Sequence, residues 1–142
     1  MPMNSVFEEE SGSSIILRAA GADSGQAAQS TKQRNILVIE DSKADFVLIK
    51  HTLHNVDDIS FKVEHAALLS DGLERLGQGG IHLVLLDLNL PDSTGLKTFQ
   101  KAYSHASNVP IIVLSGSDDR SVAMDAVGQG AQDYLVKGKL EA

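Results

Sequence analysis

The sequence predicts an α/β fold, a doubly wound sheet of five parallel strands with helices on both faces. Three observations carry the prediction. Apolar runs without polar interruption, among them Ile36-Leu37-Val38-Ile39 and Ile111-Ile112-Val113-Leu114, fit strands buried on both faces. The segments between such runs place apolar residues at helical spacing. From Asn35 onward strand and helix alternate without exception, and that order implies right-handed crossovers and parallel pairing.

The elements follow in chain order. Residues 1–34 are rich in Ser, Gly, Ala and Gln, carry Glu8-Glu9-Glu10 and lack a sustained apolar period, so they read as a disordered leader. Ser14-Ile15-Ile16-Leu17 interrupts it, either as an apolar but unfolded stretch or as a short helix docked on the domain. Ile36 to Ile39 is the first strand. Ala44, Val47, Leu48 and Leu53, with Phe46 and Ile49 beside them, mark a first helix up to Asn55. A weaker strand, roughly Phe61 to His65, precedes a helix around Asp71 to Leu76 that stops at Gly77-Gln78-Gly79-Gly80.

Ile81 to Leu88 is the most hydrophobic stretch and fits a central strand. Pro91 and Gly95 bracket a loop, and a helix runs to about Tyr103. Ile111 to Leu114 is the fourth strand, Ser121 to Gln129 a helix closed near Gly130, and Asp133 to Val136 a short fifth strand. Only Gly138 to Ala142 follow Lys137, too few for a closing helix. The domain at 35–142 therefore reads as truncated, with its fifth helix largely missing and one sheet face under-covered unless Ile15 to Leu17 or another subunit fills the gap.

Composition bounds the function. A length of 142 residues allows one domain. A net charge of −7 disfavours direct contact with nucleic acid or anionic lipid. With no cysteine there is no disulfide, thiol nucleophile or Cys-type metal site. No apolar run approaches the roughly 18 residues of a membrane span, and the acidic start lacks a signal peptide's basic region. The chain reads as soluble, unexported and cytoplasmic.

In open parallel sheets, ligands bind beyond the carboxyl ends of the strands, where the strand order reverses. The polar residues there are Glu40 and Asp41 after the first strand, Asp87 late in the third, Ser115 after the fourth and Lys137 after the fifth. In the flavodoxin-like order 2-1-3-4-5, the first and third strands are neighbours about 4.8 Å apart, and all five residues line one crevice. Three carboxylates there need a cation, because two unit charges about 4 Å apart repel by about 4 kcal/mol at an effective dielectric of about 20. An all-oxygen set without His or Cys favours a hard divalent ion, Mg²⁺ or Mn²⁺.

Glu40, Asp41 or Ser42 could merely cap the first helix, but Asp87, set within LVLLDLNLP, would be a costly unpaired charge. A strand-end Asp with a metal, a lysine and a hydroxyl nearby suits attack on phosphorus. Ser115 either donates a hydrogen bond to a phosphoryl oxygen or is only a strand-end polar residue.

Four motifs in order, ILVIEDS, LVLLDLNLPDSTG around Asp87, PIIVLSGSDD around Ser115 and AQDYLVKG ending at Lys137, make residues 35 to 138 resemble a response regulator receiver domain of two-component signalling. The resemblance implies Asp87 as phosphoacceptor. It implies Asp41, and Glu40 partly through water, as metal carboxylates, with Asp87 and the backbone carbonyl of Asn89 completing the set. Ser115 matches the family's switch hydroxyl, Lys137 the phosphate-pairing lysine and Tyr134 the aromatic whose rotamer follows activation. Asn89 and Gly116 occupy positions thought to set the phosphoryl lifetime.

The implied function is a phosphorelay step. A histidine kinase or histidine phosphotransfer protein donates to Asp87 with Mg²⁺, and the face from Ser121 to Val136, helix four and strand five, signals to an output domain or partner protein. The domain is then a signalling module and not an enzyme on external substrates, and a homodimer is compatible with it. One departure stands out: Gly138 follows Lys137 where the family usually has a cis proline, and a cis bond without proline would cost roughly 3 kcal/mol. Two rivals remain: a receiver-shaped interaction module that is never phosphorylated, and an aspartyl-nucleophile phosphohydrolase. Asn89 weakens the second, since it stands where an acid/base Asp is needed.

Overall fold

A computed structural model of the chain describes residues 12–20, 33–54, 60–106 and 108–139. The elements in order are α1 (Gly12–Ala19), β1 (Gln33–Ile39), α2 (Lys43–His54), β2 (Ser60–Ala66), α3 (Leu69–Gly77), β3 (Leu83–Asp87), β4 (Asn89–Leu90), β5 (Ser93–Thr94), α4 (Leu96–His105), β6 (Ile111–Ser115), α5 (Arg120–Gly128) and β7 (Asp133–Val136). Short 3₁₀ turns at Ser117–Asp119 and Lys137–Lys139 complete them. The main sheet runs β2-β1-β3-β6-β7, all parallel. That is the expected 2-1-3-4-5 order once β4 and β5, a small antiparallel hairpin, are set aside.

Side chains alternate across the strands, and the two faces build separate cores. Leu37, Ile39, Val84, Leu86 and Val113 meet α3, α4 and α5 through Leu69, Leu76, Phe99, Ala102, Ala123 and Ala126. Ile36, Val38, Leu83, Leu85, Ile112, Leu114 and Leu135 meet α2 through Ile49 and Leu53. The central strands β3 and β6 are buried along their whole length, which is why both read as unbroken apolar runs.

The second face corrects the expectation of a disordered leader. Gly12–Ala19 is a helix, and its Ile16 is 0% exposed within the same cluster as Ile36, Ile112 and Leu135. Arg34 Nε donates to the carbonyl of Ala20 at 2.9 Å, and Arg18 lies 3.9 Å from Asp133 on β7. Burying one Ile is worth roughly 1.5–3 kcal/mol, enough to hold a short helix that would be marginal alone. The docked helix offered as the alternative for Ser14 to Leu17 is therefore what stands here, spanning Gly12–Ala19. The rest of the expected leader, residues 1–11 and 21–32, lies outside the described residues. The Lys137-Gly138 peptide bond is trans.

Candidate functional site

Parallel register brings the strand ends level. Ile39 pairs with Leu86, Asp87 with Leu114 and Ser115 with Val136, so Glu40, Asp87, Ser115 and Lys137 gather at one edge. Ser42 starts α2: its Oγ accepts from Asp45 N at 3.2 Å, the N-cap arrangement. Glu40 is thereby free of capping duty at the helix and turns into the crevice.

Glu40 is fully buried. Its Oε2 accepts from Ser42 N at 3.1 Å and its Oε1 from Lys137 Nζ at 3.2 Å. Burial, and then a side-chain hydrogen bond with Asp87, push its pKa up to about 8. Its carbonyl lies 2.7 Å from His65 Nε2, and the His65 ring stacks on Phe46 with centroids 4.0 Å apart. These contacts fix the backbone at the end of β1.

Asp87 is 4% exposed. Its Oδ1 accepts from Asn89 N at 3.1 Å and its Oδ2 from Lys137 Nζ at 3.2 Å. Lys137 also meets Asp45 Oδ2 at 2.9 Å. Burial would lower the lysine's pKa, but Asp45, Asp87 and Glu40 together raise it, so it is a fixed cation.

One carboxylate oxygen each from Glu40, Asp41 and Asp87 lies within 4.8 Å of the others, with Asp41 exposed and the other two buried. The donor set is all oxygen, and buried Glu40 resists ionising without more positive charge than Lys137 supplies. Both features fit a hard divalent cation.

The remaining expected residues sit around this centre. Ser115 is 1% exposed, and its Oγ finds no hydrogen-bond partner among the described residues. Gly116 leads into the 3₁₀ turn. Asn89 is exposed and meets Asp87 through its backbone N–H. Tyr134, on β7, is half-buried against the core that α3, α4 and α5 cover. The sequence reading missed Asp45, the nearest carboxylate to Lys137. An acid in the first turn of a helix is so ordinary that its spacing carried no signal.

The family model described as the response regulator receiver domain matches residues 36–141. Among curated relatives, the swarming motility regulation protein RssB of Serratia marcescens is 34% identical over 103 residues, covering 72% of this chain and 46% of that protein. The KDP operon transcriptional regulatory protein KdpE of Escherichia coli is 34% identical over 112 residues, covering 76% and 48%. The chain thus spans about half the length of these relatives.

A solved response regulator receiver domain protein from Clostridium thermocellum superposes with a TM-score of 0.62 at 27% identity, covering 73% of this chain and 82% of that one. The N-terminal signal receiver domain of a Bacteroides fragilis two-component response regulator gives 0.66 at 21% identity, covering 76% and 87%, a likeness of fold. Among the described residues no helix is long and apolar enough to cross a membrane. With the matched span covering all of the main sheet except the first three residues of β1, and all four of its polar strand ends, the chain belongs to the response regulator receiver domain family of two-component signalling.

Proposed function

We propose that this domain takes a phosphoryl group onto Asp87 from the phosphohistidine of a histidine kinase or histidine phosphotransfer protein. The observation that carries the reading is the pairing of Asp87, nearly buried at the sheet edge, with Lys137 Nζ at 3.2 Å and two further carboxylates beside it. An Asp87 oxygen forms the new P–O bond while the donor's P–N bond breaks, its electron pair returning to the imidazole. Water later cleaves the acyl phosphate, releasing inorganic phosphate and restoring the carboxylate.

Glu40, Asp41, Asp87 and the Asn89 backbone carbonyl would hold Mg²⁺ or Mn²⁺, which supplies charge neutralisation to the transferring phosphoryl oxygens. Lys137 pairs with one such oxygen, already held in place by Asp45 and Glu40. Ser115 Oγ, buried and without a hydrogen-bond partner among the described residues, donates a hydrogen bond to another. Its movement frees space beside Tyr134, and the face from Ser121 to Val136, α5 and β7, signals to an output domain or partner. Asn89 and Gly116 border the acceptor and set how readily water reaches it. The setting is cytoplasmic, the domain acts on no external substrate, and a chain of net charge −7 leaves nucleic acid to its partners.

Intact-mass spectrometry after incubation with acetyl phosphate and Mg²⁺ tests the reading. One phosphoryl adduct is expected on the wild type, absent from Asp87→Asn and suppressed by EDTA. A folded wild type that takes no adduct overturns it.

A further inference from the structure

Helix α3 begins without a cap of its own. Its N-cap residue is Leu68, which makes no side-chain capping bond, yet the first N–H groups of a helix need acceptors. They find them in the loop after β3. Asp92 Oδ1 accepts from Leu69 N at 2.9 Å and Oδ2 from Ser70 N at 3.0 Å. Both oxygens are used, and the negative charge stands at the positive end of the helix dipole. Burial acts to raise the Asp92 pKa, but these N–H groups hold it below the ordinary carboxylate value.

The other end of the same loop is tied to the acceptor carboxylate, because Asn89 N donates to Asp87 Oδ1 at 3.1 Å. Between the two ends the chain is cross-linked. Asn89 pairs with Thr94 and Leu90 with Ser93, and Gly95 N donates to the carbonyl of Leu88 at 2.8 Å. Ser93 Oγ shares a buried hydrogen bond with Thr98 Oγ1 at 2.7 Å. A short hairpin closed in this way has little room to deform locally, so a change at Asn89 is carried to its tip, where Asp92 grips α3.

We propose that Asp92 is a positioning residue that couples the Asn89–Asp87 hydrogen bond to the first turn of α3, so that α3 responds to chemistry at Asp87. The response to phosphorylation rests on the acceptor reading above; the coupling between Asn89 and α3 does not. Coupling is reciprocal, so cutting the α3 end must loosen the Asn89 end.

Amide exchange measured by NMR on the metal-free full chain tests this directly. Asp92→Ala should speed exchange about tenfold at Leu69 and Ser70, and about threefold at Asn89. Asp92→Asn, which keeps one acceptor oxygen, should return Asn89 to within about twofold of wild type. A cap with only a local structural role would move Leu69 and Ser70 and leave Asn89 unchanged, and that result overturns the coupling.

With acetyl phosphate and Mg²⁺ added, the Leu69 and Ser70 amide resonances should shift in the wild type and stay in place in Asp92→Ala. Shifts of equal size in both proteins count against the proposal. Intact mass on the same samples separates the two readings: a wild type without adduct fails as a phosphoacceptor, while the exchange result still decides the coupling.

Discussion

Lys137 Nζ lies 2.9 Å from Asp45 Oδ2, closer than it lies to Asp87 or Glu40, each at 3.2 Å. The ammonium is thus shared between the acceptor crevice and the first turn of α2. A monovalent cation beside a carboxylate set opposes the entry of a divalent one, since two unit charges about 4 Å apart interact by about 4 kcal/mol at an effective dielectric of about 20. Asp45 draws part of that charge away. Lys137→Met should therefore bind Mg²⁺ about tenfold more tightly, and Asp45→Asn about threefold more weakly, allowing for solvent screening. Isothermal titration with Mg²⁺ checks both, and tighter binding by Asp45→Asn would remove Asp45 from this role.

Glu40 makes the metal-free fold sensitive to pH. Burial and the hydrogen bond with Asp87 put its pKa at about 8 in the folded chain, against about 4.3 in an unfolded one. Between these values the folded state binds more protons than the unfolded state, so unfolding free energy falls as pH rises. The sign is opposite to that of a salt-bridged carboxylate with a lowered pKa. Metal-free protein should melt several degrees lower at pH 8 than at pH 5.5. Millimolar Mg²⁺ should recover most of the loss, and Glu40→Gln should flatten the slope. A wild-type melting temperature that rises across this interval would contradict the assignment.

The alternation of strand and helix was legible because parallel strands covered on both faces write themselves as apolar runs, as at Leu83 to Leu86 and Ile111 to Leu114. The acids and the lysine at the strand ends were legible because charge directly after such a run has few other uses. Asp45 and Asp92 were not. Asp45 reaches Lys137 from a distant part of the chain, and Asp92 caps a helix that precedes it in sequence. Neither relation leaves a local spacing. Helix α1 was half legible: Ile16 supplies the fully buried contact, but the three apolar residues Ile15-Ile16-Leu17 amid Ser, Gly and Ala make too short a run to separate a docked helix from an unfolded apolar stretch.

Ser115 should show stability and function pulling apart. Its hydroxyl is buried with no hydrogen-bond partner among the described residues, and such a group costs about 1–3 kcal/mol relative to a satisfied one. Ser115→Ala removes that cost with little change in volume. Urea unfolding should find the variant as stable as wild type or up to about 1 kcal/mol more stable. The same variant should acquire the acetyl phosphate adduct more slowly. A clear loss of stability would mean that the hydroxyl has a partner in solution.

Gly72 and Ile39 fix how closely α3 approaches β1. A Cβ at Gly72 would overlap Ile39 Cδ1 and lie 2.8 Å from Cγ1, and Ile39 is fully buried, so its side chain has nowhere to withdraw. Gly72→Ala should cost about 1–3 kcal/mol through overpacking, although Ala is the better helix former by about 1 kcal/mol. Paired with Ile39→Val, which shortens the opposing side chain, the loss should shrink, and the two changes should couple. Additive losses in urea unfolding would show that the contact is not what limits the approach.

Ile16 tests whether α1 belongs to the cooperative fold. It is 0% exposed, packed in one cluster with Ile36, Ile112 and Leu135. Ile16→Ala should cost about 2–4 kcal/mol if α1 unfolds together with the sheet. A helix that opened separately would cap the loss at its own docking free energy, below about 1 kcal/mol, with an unchanged denaturant slope for the remainder. Removing residues 1–20 discriminates further. The shortened chain should lose stability by at least as much as Ile16→Ala and bind a hydrophobic dye at the uncovered strands. Supplying residues 10–22 as a free peptide should quench that signal saturably. A shortened chain as stable as the full one would show that Ile36, Ile112 and Leu135 need no cover from α1.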